Sequence, residues 1–272
     1  PRYKRVRASS ASDVDKRPTL TLILALVSLG LYAQTNRNKT IINAALHGWE
    51  YEIKAGVNLG GTAPLPFPEE IRSIDGYNPT LSITIAGTMT IWLDSKKTWG
   101  IITGLRLENK GMRTKATVKN YNMEIIGYDG NRLKGNWTGG VRTKVQNSYI
   151  TIPVLAAYKL NPRTTLKLGP YFSYLMDGDF SGHVYEGYLR ETNPTGDKIN
   201  FTNGAIATYD FSGDLRKFQW GVQAGVDWKA FKHLKVHADL NWGLNDIFNK
   251  DFKTVTFDMY AIYLNVGFGY AF

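Results

Sequence analysis

What the chain lacks excludes several classes of protein. None of its 272 residues is cysteine, so neither a disulfide framework nor a thiolate metal site is available. It contains no P-loop, no HExxH, no GxSxG and no GxGxxG followed by a helix. We therefore expect no cofactor and no enzymatic activity. The formal charge of +10 comes without a basic helix or an RNA-binding signature, so nucleic acid is not an expected partner.

Long apolar runs are also missing. Residues 19–33, TLTLILALVSLGLYA, are shorter than the roughly 20 residues of a transmembrane helix. They follow Lys16-Arg17-Pro18 and end at Ala33, which predicts a secretory signal peptide; the alternative is a buried core helix. We assign residues 1–33 to an N-terminal extension and signal peptide, and 34–49 to a periplasmic lead-in. Because the first methionine is Met89, Pro1 is not expected to be the translation start.

Aromatic residues and glycine are abundant, with 16 Tyr, 12 Phe, 7 Trp and 27 Gly. In the segment 258–272, DMYAIYLNVGFGYAF, every second residue from Phe272 back to Tyr260 is apolar, with aromatic residues at both ends. The residues between are mostly small or polar, and a strand places the two sets on opposite faces of a sheet. Aromatic, aliphatic and again aromatic residues along one face are typical of a strand that crosses a bilayer.

Seven earlier segments alternate in the same way. The eight predicted strands are 50–60, 81–93, 98–108, 147–160, 164–176, 216–228, 233–244 and 258–272. Short connections (94–98, 161–163 and 229–232) alternate with long ones (61–80, 109–146, 177–215 and 245–257). This alternation is typical of outer-membrane barrels, with short periplasmic turns and long extracellular loops. We predict an all-β protein: an eight-stranded antiparallel up-and-down transmembrane β-barrel over residues 50–272, monomeric, in the cell outer membrane.

The fourth predicted strand is ambiguous in phase. We favour an outward position for Ile150, Ile152, Val154, Ala156 and Tyr158. Proline at 153 cannot donate a ladder hydrogen bond, so it predicts a bulge or a weak pairing at that point.

The polar faces of these strands carry charges of both signs. Since an eight-stranded barrel has little room inside, we predict a lumen filled by side chains. Four acids against four bases indicate a paired interior, because an unpaired buried charge costs several kcal/mol. The predicted lumen network consists of Glu52, Lys54, Arg106, Glu108, Lys167, Asp227, Lys235, His237 and Asp239.

Two groups of residues allow a chemical alternative. His237, Asp239 and Asn241 share one face, where a rim hydrolase could place a base. Their spacing of about 7 Å favours a lumen network instead. Asp177-Gly178-Asp179, with Asn245, Asp246 and Asp251, could hold calcium, but such a sequence is more often a turn, and we expect no metal.

Several strands resemble a known family. NSYITIPVLAAYKL, LKLGPYFSYLMDGDF, FQWGVQAGVDWKAF and LNWGLNDIFN resemble the PorT-type outer-membrane β-barrel family of Gram-negative bacteria, as do IKAGVNLGG and LNVGFGYAF. Ile152-Pro153-Val154 and Gly169-Pro170-Tyr171-Phe172 are the most specific pieces. The resemblance implies an eight-stranded barrel in the outer membrane, and most members have no defined activity. The founding type is tied to protein secretion, a role that we do not carry over.

Function is expected to lie in the extracellular part, as envelope structure, adhesion or docking of envelope or secretion proteins. The alternatives are a narrow pore for transport or a component of a secretion system. Outer-membrane lipid and the barrel-assembly machinery are the other expected partners. The aromatic residues Phe268, Tyr270 and Phe272 resemble the C-terminal signal that this machinery reads.

Overall fold

The computed structural model describes residues 49–127 and 130–272. The predicted N-terminal extension and signal peptide, and the predicted lead-in as far as residue 48, lie outside the described residues. No helix in the described ranges is long and apolar enough to cross a membrane.

Ten β-strands and one short 3-10 helix make up this part of the chain. The strands are β1 (Trp49–Pro64), β2 (Ile71–Pro79), β3 (Ile83–Trp92), β4 (Trp99–Ile126), β5 (Arg132–Asn161), β6 (Thr164–Glu191), β7 (Lys198–Asp210), β8 (Phe218–Lys229), β9 (Leu234–Gly243) and β10 (Met259–Ala271). The 3-10 helix, Ser212–Asp214, lies between β7 and β8.

Eight of the described strands close into a ring. The order is β1, β3, β4, β5, β6, β8, β9 and β10, and β10 pairs again with β1 from Glu52↔Ala271 to Pro64↔Met259. Every pair in the ring is antiparallel. The predicted eight-stranded antiparallel barrel is therefore confirmed, because each predicted alternating segment supplies one strand of the ring.

The strand that contains Pro153 has the predicted orientation but no bulge. Ile152 and Val154 are exposed on the outside of the ring, while Thr151 and Leu155 are buried. The register between β4 and β5 is the same on either side of the proline, from Thr103↔Val154 to Arg106↔Thr151. The alternative of a bulge at Pro153 is therefore wrong, whereas the alternative of a weak pairing is confirmed, because residues 152 and 153 have no partners in the ladder with β4.

The predicted long loops are largely strand. Paired short alternations within 109–146, with Asp129-Gly130-Asn131 as a tip, predict hairpins that continue the barrel above the membrane. This prediction is confirmed for β4 and β5, which pair beyond the barrel up to Ile126↔Arg132, while Asp129 lies outside the described residues. The connection 177–215 contains the upper part of β6 and all of β7, and β2 lies in the connection 61–80. We call residues 65–82, 109–127, 130–148, 176–217 and 244–258 the extracellular extension.

The barrel has an apolar exterior. Its exposed apolar belt includes Ile53, Leu59, Ile83, Ile85, Leu105, Leu107, Ile152, Val154, Leu166, Leu168, Phe172, Val222, Leu240, Leu264 and Phe268. Aromatic side chains lie at one edge of the belt (Trp49, Tyr51, Trp99, Trp228, Tyr270) and at the other (Tyr174, Phe218, Trp220, Trp242). An apolar band between two aromatic girdles is the surface that a bilayer requires of a spanning barrel.

The extracellular extension has the opposite polarity. Its interior is an apolar core that includes Met112, Val118, Met123, Ile125, Trp137, Val141, Val145, Phe180, Val184, Leu189, Phe201, Tyr209, Phe211, Leu215, Ile247 and Phe248. β7 pairs with β6 along Ser181↔Asp210 to Arg190↔Lys198 and touches β4 at Ile126↔Thr208, so the upper sheet curls around this core.

Above the closed ring, a gap separates β1 from β2. The pairing of β1 with β3 ends at Val57↔Ile83. Beyond that point β2 takes the place of β3 beside β4, and β2 pairs with β4 but not with β1. Above Asn58, whose amide donates to the Ser82 carbonyl at 2.8 Å, the two strands separate. The hydroxyl of Tyr77 on β2 crosses this gap and donates to the Gly60 carbonyl of β1 at 2.6 Å.

Candidate functional site in the lumen and the extracellular extension

The predicted lumen residues all point into the barrel. Eight of the nine are buried, and Lys235 is the exception, with 16% of its side chain exposed. They come together because alternate residues of each strand face inward and because neighbouring strands bring these positions to similar heights. The eight charged residues among them form two clusters, one toward the periplasmic end and one toward the extension, and His237 lies in a separate polar network.

The cluster toward the periplasmic end is built around Asp227. Lys54 Nζ lies 3.1 Å from each oxygen of this carboxylate, and Lys167 Nζ lies 2.6 Å from Oδ1. Lys167 also lies 2.7 Å from Asp239 Oδ1. On the other side, Glu52 accepts a hydrogen bond from Lys235 at 3.0 Å and lies 3.6 Å from Lys54. The charges of three acids and three lysines therefore neutralise one another inside the lumen.

Glycine makes room for these carboxylates. A Cβ atom at Gly269 would lie 1.9 Å from Glu52 Oε1, and one at Gly225 would lie 1.8 Å from Asp239 Oδ1. Both distances are far below van der Waals contact, so the small residues that alternate along β8 and β10 leave the space that the charged network fills.

His237 is part of a polar network and not of a His–Asp pair. Its Nε2 donates to Asn265 Oδ1 at 2.9 Å, and Asn265 Nδ2 donates to Asn58 Oδ1 at 2.8 Å and to Thr84 Oγ1 at 3.0 Å. The other ring nitrogen has no hydrogen-bond partner among the described residues. Asp239 instead contacts Lys167, so the arrangement expected of a rim hydrolase is not formed.

The second cluster lies nearer the extension and is centred on Glu108. Arg106 Nη2 and Lys110 Nζ lie 3.2 and 3.1 Å from Glu108 Oε1, which also accepts from Thr151 Oγ1 at 2.8 Å. The guanidinium of Arg106 reaches across the lumen to Gln223 Oε1 at 3.0 Å and to Asn241 Oδ1 at 3.1 Å. Side chains from opposite walls of the barrel are thus hydrogen-bonded to one another.

Lys110 is a charged lumen residue that the sequence analysis did not identify. It is buried, and its Nζ lies 5.2, 5.3 and 5.7 Å from the ring centroids of Tyr149, Tyr171 and Tyr263. A cation over aromatic faces is attracted by the ring quadrupole, so the three tyrosines stabilise the Lys110 ammonium, which shares the Glu108 carboxylate with Arg106. The alternation of Arg106, Glu108 and Lys110 indicates that Lys110 also faces inward, but the predicted strand stopped at residue 108 and the predicted loop began at 109.

The predicted C-terminal signal residues lie on the outer face of β10 and directly after its end. Phe268, Tyr270 and Phe272 are exposed, and the Tyr270 ring stacks on His233 of the β8–β9 turn at 5.4 Å. Their role in assembly stays a prediction. The turn expected at Asp177-Gly178-Asp179 is wrong, because residues 177–179 lie within β6 and pair with β5.

The outer face of the extension is basic and aromatic. Arg142 and Lys115 lie over the Tyr185 ring at 5.1 and 5.5 Å, and Lys198 lies over the Tyr188 ring at 4.1 Å. Burial, followed by the charge of Arg142, holds the pKa of His183 below its ordinary value. This surface presents positive charge on flat rings carried by a folded sheet.

A closed antiparallel ring with an apolar belt outside and a charged, filled lumen defines a transmembrane β-barrel. The model of the outer membrane protein beta-barrel domain family matches residues 32–249. The chain belongs to this family, and the protein is located in the outer membrane of the Gram-negative cell envelope.

Solved structures of small barrels are similar to the chain. The attachment invasion locus protein Ail of Yersinia pestis has 12% identity and a TM-score of 0.37, with 82% of this chain and 98% of that chain covered. Neisserial surface protein A has 9% identity and a TM-score of 0.28, with 83% and 97% covered. The outer membrane protease OmpT of Escherichia coli has 12% identity and a TM-score of 0.33, with 82% and 96% covered. No curated protein matches the chain significantly.

Proposed function

We propose that this outer-membrane protein is a closed, monomeric anchor whose extracellular extension docks an acidic partner protein of the envelope. The observation that carries the proposal is the apolar core of the extension. Mobile loops would have to be ordered on binding, at a cost in conformational entropy, whereas a packed sheet is already preorganised for a partner.

The choice of partner rests on the outer face of the extension. Its Arg142–Tyr185 and Lys198–Tyr188 contacts hold cations on aromatic rings. Tyrosine and arginine are enriched at protein interfaces, and a positive face is complementary to a negative one. The resemblance to PorT-type barrels supports envelope docking as well, without assigning the secretion role of the founding type.

A closed lumen supports anchoring over transport. Hydrogen bonds from Arg106 to β8 and β9 cross the lumen, and Lys110 lies above them among three tyrosines. An ion that passed would have to separate paired charges in a low-dielectric wall, which costs several kcal/mol. Catalysis is not part of the proposal, because His237 is buried and paired with Asn265, away from any substrate in solution.

The lumen is tested by conductance. The purified barrel is inserted in planar bilayers, and insertion is verified from its faster migration on unheated SDS gels. We expect no ion conductance; discrete conductance steps would support the alternative, a narrow pore.

Catalysis is tested separately. If an esterase or peptidase activity were found, its persistence in His237→Ala would place that activity elsewhere.

Docking is tested by crosslinking on cells. A photoreactive amino acid replaces Arg142 or Lys198 on the outer face of the extension, and Leu168 in the lipid-facing belt as the control position. We expect the two extension positions to give the same discrete protein adduct, reduced in Tyr185→Ala and Tyr188→Ala, and the control to give none. Adducts that are equal at all three positions, or none at any, would contradict docking.

A further inference from the structure

The gap between β1 and β2 leads into an apolar cavity of about 480 Å³. The upper part of β1 and the β2–β4 pair form its walls, and the stacked rings of Tyr121 and Phe257 contribute to its lining. The rest of the lining includes Met112, Ala116, Val118, Val141, Phe180 and Tyr209. Ligand sites in proteins have volumes of roughly 300 to 1,000 Å³ and mostly apolar linings, so this cavity has the size of a small-molecule site.

None of the described residues that line the cavity carries a charge. The contrast with the lumen is sharp, because Lys110 is the next inward residue of β4 below Met112 and contacts Glu108 at 3.1 Å. A ligand with a charged group would leave that charge unpaired in the cavity, at a cost of several kcal/mol. An apolar ligand, in turn, has no favourable route downward through the charged lumen.

The cavity reaches the protein surface at its mouth. Phe67, Ile74 and Tyr77 line it and are 54%, 58% and 50% exposed, whereas Met112, Val141 and Phe180 at its inner end are buried. Leu59, the last exposed apolar residue of β1 below the gap, belongs to the belt. The mouth therefore lies next to the outer edge of the apolar belt.

Two contacts hold the mouth together without closing the wall. The Tyr77 hydroxyl donates to the Gly60 carbonyl at 2.6 Å, and the Thr62 amide donates to Met112 Sδ at 3.3 Å. Gly61 leaves the space beside this thioether, since a Cβ there would lie 2.6 Å from Met112 Sδ. Side chains, and not a β-ladder, span the gap, so the strands can part there without breaking backbone pairing.

We propose that this cavity binds one small, uncharged, apolar molecule, which enters sideways between β1 and β2 from the outer edge of the apolar belt. The ligand class follows from the uncharged lining, the volume and the position of the mouth. The inference is independent of the proposed docking function, because the docking face lies on the outside of β5 to β7, and the lumen can be silent whether or not this cavity is occupied.

The test is photolabelling with an uncharged aromatic probe, 3-trifluoromethyl-3-phenyldiazirine, on the intact barrel in detergent, with labelled peptides identified by mass spectrometry. Lipid-facing belt residues should label in proportion to probe concentration. We expect the peptides that contain Met112 and Met259 to label saturably. Excess naphthalene should compete for that labelling, whereas naphthalene-2-sulfonate, of similar size but charged, should not.

A variant that fills the cavity sharpens the test. Ala116→Trp places an indole in the cavity, and Ala156→Trp, on the lipid-facing side of β5, is its matched control. We expect Ala116→Trp to weaken saturable labelling by at least about tenfold, equivalent to losing the burial of roughly two methylene groups, and Ala156→Trp to leave it unchanged. Migration on unheated gels reports folding, and Ala116→Leu replaces the first variant if it does not fold.

Four results would overturn the proposal. Labelling of the Met112 peptide that never saturates would make it part of the lipid-facing surface. Equal competition by naphthalene-2-sulfonate would contradict the uncharged ligand class, and competition by added phospholipid alone would assign the cavity to an acyl chain. Unchanged saturable labelling in a folded Ala116 variant would place the site elsewhere.

Discussion

The barrel and the extracellular extension share strands β4, β5 and β6 but have opposite interiors. On β6, Lys167 and Ser173 are buried inside the barrel, whereas Val184 and Leu189 are buried inside the extension. Outside, the same strand exposes Leu166 and Leu168 in one region and bears basic and aromatic side chains in the other. One continuous strand therefore reverses its polarity along its length.

The reversal shows that the surrounding solvent, and not the strand, decides which face is apolar. In lipid the exterior must be apolar, and backbone polar groups must be satisfied within the closed ring. In water the hydrophobic effect drives apolar side chains inward. The first buried apolar residue above Lys110 on β4 is Met112, so the exchange takes place within one inward step.

The largest expected effect comes from unpairing the lumen. Lys167→Met removes the lysine that binds both Asp227 and Asp239, whose side chains are 5% exposed. Because an uncompensated buried charge remains, we expect a loss of about 3–5 kcal/mol in the free energy of unfolding. Urea unfolding of the barrel in lipid vesicles measures it.

The matched control is an ion pair on the extension. Lys144 and Asp179 have side chains 42% and 34% exposed, and such exposed pairs contribute about 0–1 kcal/mol. Lys144→Met is therefore expected to change little. If both substitutions lowered the free energy of unfolding equally, the contrast between a buried ion pair in the lumen and an exposed one on the extension would be wrong.

The next largest effect is expected in the extracellular extension. Leu189 is fully buried in the core of the extension, and Leu189→Ala removes its packing and leaves a cavity, at a cost of about 2–5 kcal/mol. We expect the loss to appear in the extension alone, as faster proteolysis between 177 and 215, while the barrel keeps its shift on unheated gels.

Leu168→Ala is the control on the same strand. Leu168 is exposed in the belt, so its truncation leaves no internal cavity, and we expect a smaller effect without local proteolysis. Loss of the gel shift in Leu189→Ala would show that the extension and the barrel unfold together and that the division between them has no energetic meaning.

Strict alternation made the barrel predictable from sequence. A period of two locates a strand and tells its two faces apart, and the short turns fixed its direction. The prediction of the strand ends failed where the polarity reverses. Beyond Lys110 the inward residues of β4 change from charged to apolar, so a strand recognised by its polar inner face was ended too early. β2 and β7 were missed for the same reason, since they belong to a region whose interior follows the opposite pattern.

The lumen network was predictable in membership but not in pairing. Alternation identifies Lys54, Lys167 and Asp227 as inward residues on separate strands. That both lysines meet Asp227 depends on the stagger of β1, β6 and β8, which a single sequence does not contain. The cavity beside Met112 could not be predicted, because it depends on where β2 leaves β1.

A smaller effect concerns the space inside the lumen. Gly269→Ala would place a Cβ 1.9 Å from Glu52 Oε1, and Lys235 holds that carboxylate at 3.0 Å. Overpacking of this kind costs about 1–3 kcal/mol. Urea unfolding measures it, with Gly87→Ala as control, because a Cβ at Gly87 meets nothing within 4 Å. An equal cost at both positions would mean that backbone freedom, and not lumen space, selects these glycines.

The smallest effect tests the charged outside of the extension through His183. Burial and Arg142 lower its pKa, so the folded state favours the neutral imidazole. Stability from this group is therefore present above the unfolded value of 6.5 and is lost as the pH falls through the lower folded value. In NMR titrations of the histidine ring we expect Arg142→Gln to raise the midpoint toward 6.5 without reaching it, because burial persists. Lys144→Gln, which removes a cation paired with Asp179, should leave the midpoint in place; a larger shift there would assign the effect to the whole basic face.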